Sequence, residues 1–164
     1  MANSKYADIL EQSSVPKKVW KTALYLRLSR DDGTESESNS IASQREILKE
    51  YIKRYPDMEI YDIYVDDGYS GTNFDRPDFN RMMDDIYAHK VNCVLVKDLS
   101  RFSRNHTEGG IYLDKIFVKL GVRFIAINNQ IDIGIRGINS FNDLVKVGVT
   151  NIMNESLAAN TSVN

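Results

Sequence analysis

The sequence is poor in the groups from which many binding sites are built. Its 164 residues include one cysteine and two histidines. A lone cysteine forms no internal disulfide, and so few ligands with no ligand spacing argue against a metal site built by the protein. Cys93 sits in the apolar run Cys93-Val94-Leu95-Val96 and reads as a buried strand residue. No apolar run approaches the ~18–20 residues of a membrane span, so no membrane partner is expected. Residues 1–18 are polar, without the apolar centre of a secretory signal. These features suit a reducing, cytoplasmic compartment. Excess positive charge is also missing, the formal net charge being −2. A chain that acts on nucleic acid usually presents a basic face. Here the basic residues must be concentrated locally, or most of the DNA affinity must come from elsewhere.

What is present is an ordinary globular composition, 42% hydrophobic and 27% charged, in a length that suits one domain with a proper core. Short apolar runs alternate with helical stretches. Strands are expected at Val19–Leu28, Met58–Val65, Val91–Val96 and Val122–Ile127. Helices are expected at Ser40–Tyr55, in a stretch opened by Asp75-Arg76-Pro77 with Phe79, Met82, Met83, Ile86 and Tyr87 as its apolar stripe, and from about His106 to Leu120. Ser40 is a plausible N-cap, Pro56 a stop, and Pro77 suits a first helical turn. Arg30–Asn39, Asp66–Asp75, Lys97–Asn105 and Asn128–Asn139 read as loops. Ser140 to about Ala159 reads as a last helix, weakened by Gly148 and Thr150-Asn151. Alternating strands and helices imply βαβ units and a mostly parallel central sheet flanked by helices, an α/β fold. Ligands of such sheets bind beyond the carboxyl ends of the strands.

The first three strand-to-helix connections are therefore the places to look. They hold Arg27-Leu28-Ser29-Arg30, Asp67-Gly68-Tyr69-Ser70-Gly71 and Ser100-Arg101-Phe102-Ser103-Arg104. Alternation points Tyr25, Arg27 and Ser29 to one side of the first strand. A serine hydroxyl is a weak nucleophile unless a neighbour eases loss of its proton, and a guanidinium beside it would do so while binding a phosphate oxygen. Alone, Ser29 reads first as a turn residue. Arg101 and Arg104, three apart, share one face of a helical turn. Their planar forks match phosphate oxygens and stay charged; alone, they read first as a solvated basic loop. Arg76 opens a helix, where a cation is opposed by the dipole, which hints at a purpose such as an anion, although Asp75 and Asp78 beside it account for it equally well. Gln44, near the start of the first helix, is placed to orient Ser29 or a phosphate. Gly68-Tyr69-Ser70-Gly71 lacks the lysine and glycine spacing of a phosphate-binding P-loop. His106 reads as a solvent-exposed residue at a helix start.

Taken together, these residues resemble the serine site-specific recombinase (resolvase/invertase) family, and in particular the large serine recombinases of conjugative and mobilisable transposons. The resemblance runs from about Lys21 to Thr161. It is carried by Tyr25-Leu26-Arg27-Leu28-Ser29-Arg30, by Ser40-Ile41-Ala42-Ser43-Gln44-Arg45, and by the run from Asp66 to Pro77. Val96-Lys97-Asp98-Leu99-Ser100-Arg101-Phe102-Ser103-Arg104-Asn105 and Asn151-Ile152-Met153-Asn154-Glu155 complete it.

The resemblance implies a resolvase-like three-layer domain. Ser29 would be the nucleophile that forms a 5′-phosphoserine link to DNA and releases a 3′-hydroxyl. Arg27, Arg76, Arg101 and Arg104 match the family's arginine cluster around the scissile phosphate, while Gln44 and Ser70 match its phosphate-site glutamine and serine. Resolvases and invertases carry an aspartate where this chain has Ser100, with Asp98 nearby. The acceptor of the Ser29 proton therefore stays open. Neither metal nor nucleotide cofactor is implied, nor any small-molecule substrate. The partners implied are double-stranded DNA and further copies of the chain, as a homodimer or homotetramer in synapsis.

The corresponding organisation is an N-terminal extension at 1–18, a catalytic domain at 19–139, and at 140–164 the start of an interface helix. That helix departs from the subgroup's pattern at Ser156-Leu157-Ala158-Ala159-Asn160. The subgroup's main DNA-binding domains would follow it, which accounts for the slightly acidic charge. The function implied is transposon excision or integration by DNA breakage and rejoining. Two other readings are a non-catalytic synapsis or regulatory module of the same fold, and an unrelated α/β phosphotransferase. The joint presence of Ser29 and four arginines disfavours the first; the missing P-loop and metal-binding carboxylates disfavour the second.

Overall fold

A computed structural model describes residues 18–30 and 40–134. The expected N-terminal extension before residue 18, nearly all of the Arg30–Asn39 loop and the Ser140–Ala159 helix lie outside them. The described residues form a five-stranded sheet in the order β2-β1-β3-β4-β5. Its strands are β1 (Trp20–Leu28), β2 (Met58–Asp67), β3 (Cys93–Val96), β4 (Arg123–Ala126) and β5 (Ile131–Ile133). The first four are parallel, as alternation with helices requires, and β5 is antiparallel to β4. β5 corrects the expected loop at Asn128–Asn139. Its three residues, Ile131-Asp132-Ile133, are too short to show a period, although their burial alternates as an antiparallel strand's should.

The helices are α1 (Ile41–Lys53), α2 (Pro77–Tyr87), the single turn α3 (Leu99–Phe102), α4 (His106–Ile111) and α5 (Phe117–Leu120). Ser40 caps α1, its hydroxyl accepting from the Ser43 N–H at 3.1 Å, and Pro77 occupies the first turn of α2. α3 lies inside the stretch expected to be an irregular polar loop. The expected helix at His106–Leu120 is interrupted by a π-helical segment, Tyr112–Ile116, between α4 and α5. Gly121 ends α5 in the left-handed conformation, φ 70°, which glycine adopts without a Cβ penalty. β2 runs two residues past its expected end, so Asp66 and Asp67 are strand residues rather than the start of a loop.

Alternation along β1 divides the core between the two faces of the sheet. Ala23 and Tyr25 enter a large cluster with Phe74, Phe79, Met82, Phe102, Phe117 and Phe124 under α2 to α5. Leu24 and Leu26 enter a smaller one with Leu48 and Ile52 of α1. Cys93 is fully buried in β3 as expected, and burial pushes its thiol well above the usual range. Since β1 pairs β2 on one side and β3 on the other, the chain reverses its winding direction at β1. That is the switch point where parallel α/β sheets open a crevice.

Candidate active site

The connections after β2 and β3 meet the end of β1 at this switch point, and Arg27 ties them together. Its side chain leaves β1 on the same face as Tyr25, as alternation predicted, and is fully buried. Nε donates to the Arg101 carbonyl at 3.1 Å and Nη2 to the Ser100 carbonyl at 2.7 Å. Nη1 donates to the Tyr69 carbonyl at 2.8 Å. One guanidinium thus joins the connections after β2 and β3 to the end of β1. Arg101, 5% exposed, returns the contact: its Nη1 donates to the Arg27 carbonyl at 3.2 Å.

Gly71 completes the junction. A Cβ there would stand 2.7 Å from Arg27 Nη2 and 3.0 Å from Arg104 Cγ, so only glycine admits both arginines. Its carbonyl accepts from the Arg104 N–H at 2.7 Å. Burial, followed by the charges of Arg104, Arg76 and Arg101, pulls Arg27 down to about 9, still charged at neutral pH. That dependence on three neighbouring guanidinium charges marks the junction as strongly electropositive.

Ser29 follows β1 directly and is 6% exposed. The backbone leading to it is clamped by Gln44, a fully buried residue of α1. The Gln44 amide donates to the Arg27 carbonyl at 3.1 Å and accepts the Arg27 N–H at 3.3 Å. Ser70 lies one residue beyond the carbonyl that holds Arg27, half-buried, its hydroxyl 2.9 Å from that of Thr72. The structure therefore gathers Arg27, Arg76, Arg101 and Arg104 into one electrostatic group and sets Ser29, Gln44 and Ser70 on the elements that border it.

Arg76 is fully buried too, but its guanidinium points inward, away from the α2 N-terminus. Nε donates to the Asn73 carbonyl at 3.0 Å, Nη2 to the Phe102 carbonyl at 2.7 Å and Nη1 to the Tyr25 hydroxyl at 2.8 Å. It also packs against the rings of Phe74 and Phe79, at 4.6 and 4.9 Å. The dipole conflict expected at this helix start is resolved by Asp66, which accepts the N–H groups of Asp78 and Phe79.

Sequence reasoning passed over Asp66, taking it for a loop residue. Its place beside Arg27 in the β1–β2 register is a tertiary fact that no local sequence pattern signals. It also left Asp98 without a function. Asp98 caps α3, its carboxylate accepting from the Ser100 hydroxyl and from the Arg101 N–H at 3.2 Å, with Arg101 Nε 3.8 Å away. His106, expected in solvent, is half-buried at the start of α4. Among the described residues, no group of three or more His, Cys, Asp or Glu is arranged to hold a metal ion, and no helix is long and apolar enough to cross a membrane.

Fold and site together define an α/β domain with a serine and clustered arginines at the switch point of a mostly parallel sheet. The chain belongs to the family described as the resolvase N-terminal domain, which it matches over residues 22–155. Solved structures of serine recombinase catalytic domains share the fold. The N-terminal catalytic domain of TP901-1 integrase superposes with a TM-score of 0.66 at 28% identity, covering 85% of this chain and 97% of that one. A resolvase family site-specific recombinase from Streptococcus pneumoniae gives 0.57 at 32% identity, covering 87% and 93%. The C-terminal catalytic domain of ISC1926 TnpA, an IS607-like serine recombinase, shares the fold alone, with a TM-score of 0.54 at 18% identity over 81% of this chain and 79% of that one. No curated protein sequence matches the chain.

Proposed function

We propose that this chain is a recombinase catalytic domain that breaks and rejoins DNA through a 5′-phosphoserine intermediate on Ser29. The observation that carries the reading is the bonding of Arg27. Two residues before a nearly buried serine, this guanidinium draws together the connections bearing Ser70, Arg101 and Arg104. A phosphodiester presented to Ser29 would meet fixed positive charge on the side where charge develops during transfer.

In the proposed step, Ser29 Oγ forms a bond to the scissile phosphorus as the bond to O3′ breaks. The strand leaves as a 3′-hydroxyl, with the serine proton as its net proton gain, and the phosphate stays joined to the 5′ end. Rejoining reverses the step: a 3′-hydroxyl attacks the phosphoserine and Ser29 departs with a proton. The number of phosphate ester bonds is conserved, so no nucleotide is consumed. Arg101 and Arg104 hold the non-bridging oxygens and Ser70 contacts the phosphate. Gln44 holds the backbone that carries Ser29. The partners are double-stranded DNA and further copies of the chain, in the cytoplasm, and the setting is excision or integration of a mobile element.

The test is a quenched reaction of the protein with supercoiled DNA carrying candidate recombination sites. The unaltered chain is expected to leave protein on 5′ ends and free 3′-hydroxyls, and Ser29→Ala to leave neither. Cleavage by Ser29→Ala contradicts the nucleophile assignment. Pairing of two DNA sites with no cleavage by the unaltered chain makes it a synapsis module instead.

A further inference from the structure

The buried carboxylate that caps the start of α2 lies behind the arginine group, outside the proposed chemistry. Asp66, at the end of β2, is 1% exposed. Its Oδ1 accepts from the Asp78 N–H at 3.0 Å and its Oδ2 from the Phe79 N–H at 2.9 Å. Oδ2 also accepts the hydroxyl hydrogen of Tyr25 at 2.8 Å. That donation turns a lone pair of the Tyr25 oxygen toward Arg76, whose Nη1 donates to it at 2.8 Å. Arg76 in turn holds the Phe102 carbonyl at 2.7 Å and reaches the Arg101 carbonyl at 3.5 Å. Three buried polar groups in series therefore connect the end of β2 to the turn that presents Arg101.

We infer that Asp66, acting through Tyr25, is a positioning residue that fixes Arg76 and, through Arg76, the α3 turn carrying Arg101. The inference rests on the recombinase reading. It also gives Arg76 a positioning function, since Nε, Nη1 and Nη2 are all engaged by protein acceptors and the side chain is fully buried. A tyrosine is required at position 25 because the link needs one group that donates to a carboxylate and accepts from a guanidinium. Phenylalanine would fill the same space and would still pack against Phe79, 5.8 Å away between ring centres. It would leave Asp66 and Arg76 without the atom that joins them. Charge-assisted bonds of this kind are strong when fully satisfied and costly when half-satisfied.

The experiment is a double-mutant cycle read by single-turnover cleavage, with DNA binding measured in parallel. Tyr25→Phe should slow cleavage by about tenfold or more while leaving DNA affinity within about twofold. In an Arg101→Ala background, the same change should slow cleavage by less than about twofold, because the residue it positions is already gone. A role confined to stability would slow both backgrounds equally. Asp66→Asn, run through the same cycle, gives a second reading that does not depend on how Phe packs at position 25. Equal slowing in both backgrounds, or no slowing at all, overturns the inference. A Tyr25→Phe defect seen in DNA binding and not in cleavage overturns it too. If the unaltered chain forms no serine-linked DNA, it is the recombinase reading that has failed.

Discussion

Arg27 and Arg76 are both fully buried, and a buried guanidinium is costly unless its donors are met. The chain meets them chiefly with main-chain carbonyls from the segments around residues 69–73 and 100–102. Each arginine therefore stabilises the positions of loops far from it in sequence. Gly71 is the tightest point of this arrangement. Gly71→Ala would press a methyl group to 2.7 Å from Nη2 of the Arg27 guanidinium, a group that three hydrogen bonds hold in place. It should lower cleavage by about tenfold or more, since small misplacements of catalytic groups carry large rate costs. Circular dichroism should still report a folded domain. Arg101 offers a contrasting test. Arg101→Ala should slow cleavage by about a hundredfold or more, the scale of losing one donor to developing charge. DNA binding, measured by mobility shift, should weaken far less; a defect confined to binding contradicts the role. The residue types of the site could be read in order from the sequence, but the bonds of the Arg27 side chain could not, because they span 42 to 74 positions.

At the level of elements, the strands and longer helices could be read from their periods, and the exceptions have physical causes. α3 is one turn of four residues, Leu99–Phe102, too short for a hydrophobic period to register. A cap holds it. Asp98 accepts from the Arg101 N–H and the Ser100 hydroxyl, so polarity that reads as loop is the device that starts a helix. Asp98→Ala should cost about 1 kcal/mol of stability, the usual worth of such a cap, measured by urea unfolding. It should also slow cleavage, because the same carboxylate lies 3.8 Å from Arg101 Nε. A loss of stability without a loss of rate would detach the cap from the site. β5 escaped notice for a similar reason: three residues with one exposed aspartate between two isoleucines carry no strand signal of their own. Its burial comes from pairing with β4, a tertiary fact. Arg123 of β4 secures the pairing with two bonds to Asp132, at 2.8 and 2.7 Å.

For the molecule as a whole, the formal net charge of −2 and an electropositive site coexist because the arginines are gathered rather than numerous. Such a site should take up a small dianion. Sulfate should raise the melting temperature above that in chloride of equal ionic strength, by about 2.7 kcal/mol of stabilisation at a hundred times its dissociation constant. The increment should shrink in Arg101→Ala, and an equal increment in both proteins would place the sulfate elsewhere. The fold class was legible because alternating strands and helices admit few topologies. The switch point was not, since strand order is decided by packing that no local pattern records. That order, β2-β1-β3-β4, sets the end of β1, with Ser29 directly after it, beside the connections after β2 and β3. The most direct test is mass spectrometry of the peptide carrying residue 29, isolated from a denatured complex of the chain with cleaved DNA. The predicted result is a nucleotide joined through its 5′-phosphate to Ser29. The same adduct on another residue, or cleaved DNA with no covalent link to protein, would contradict the central claim.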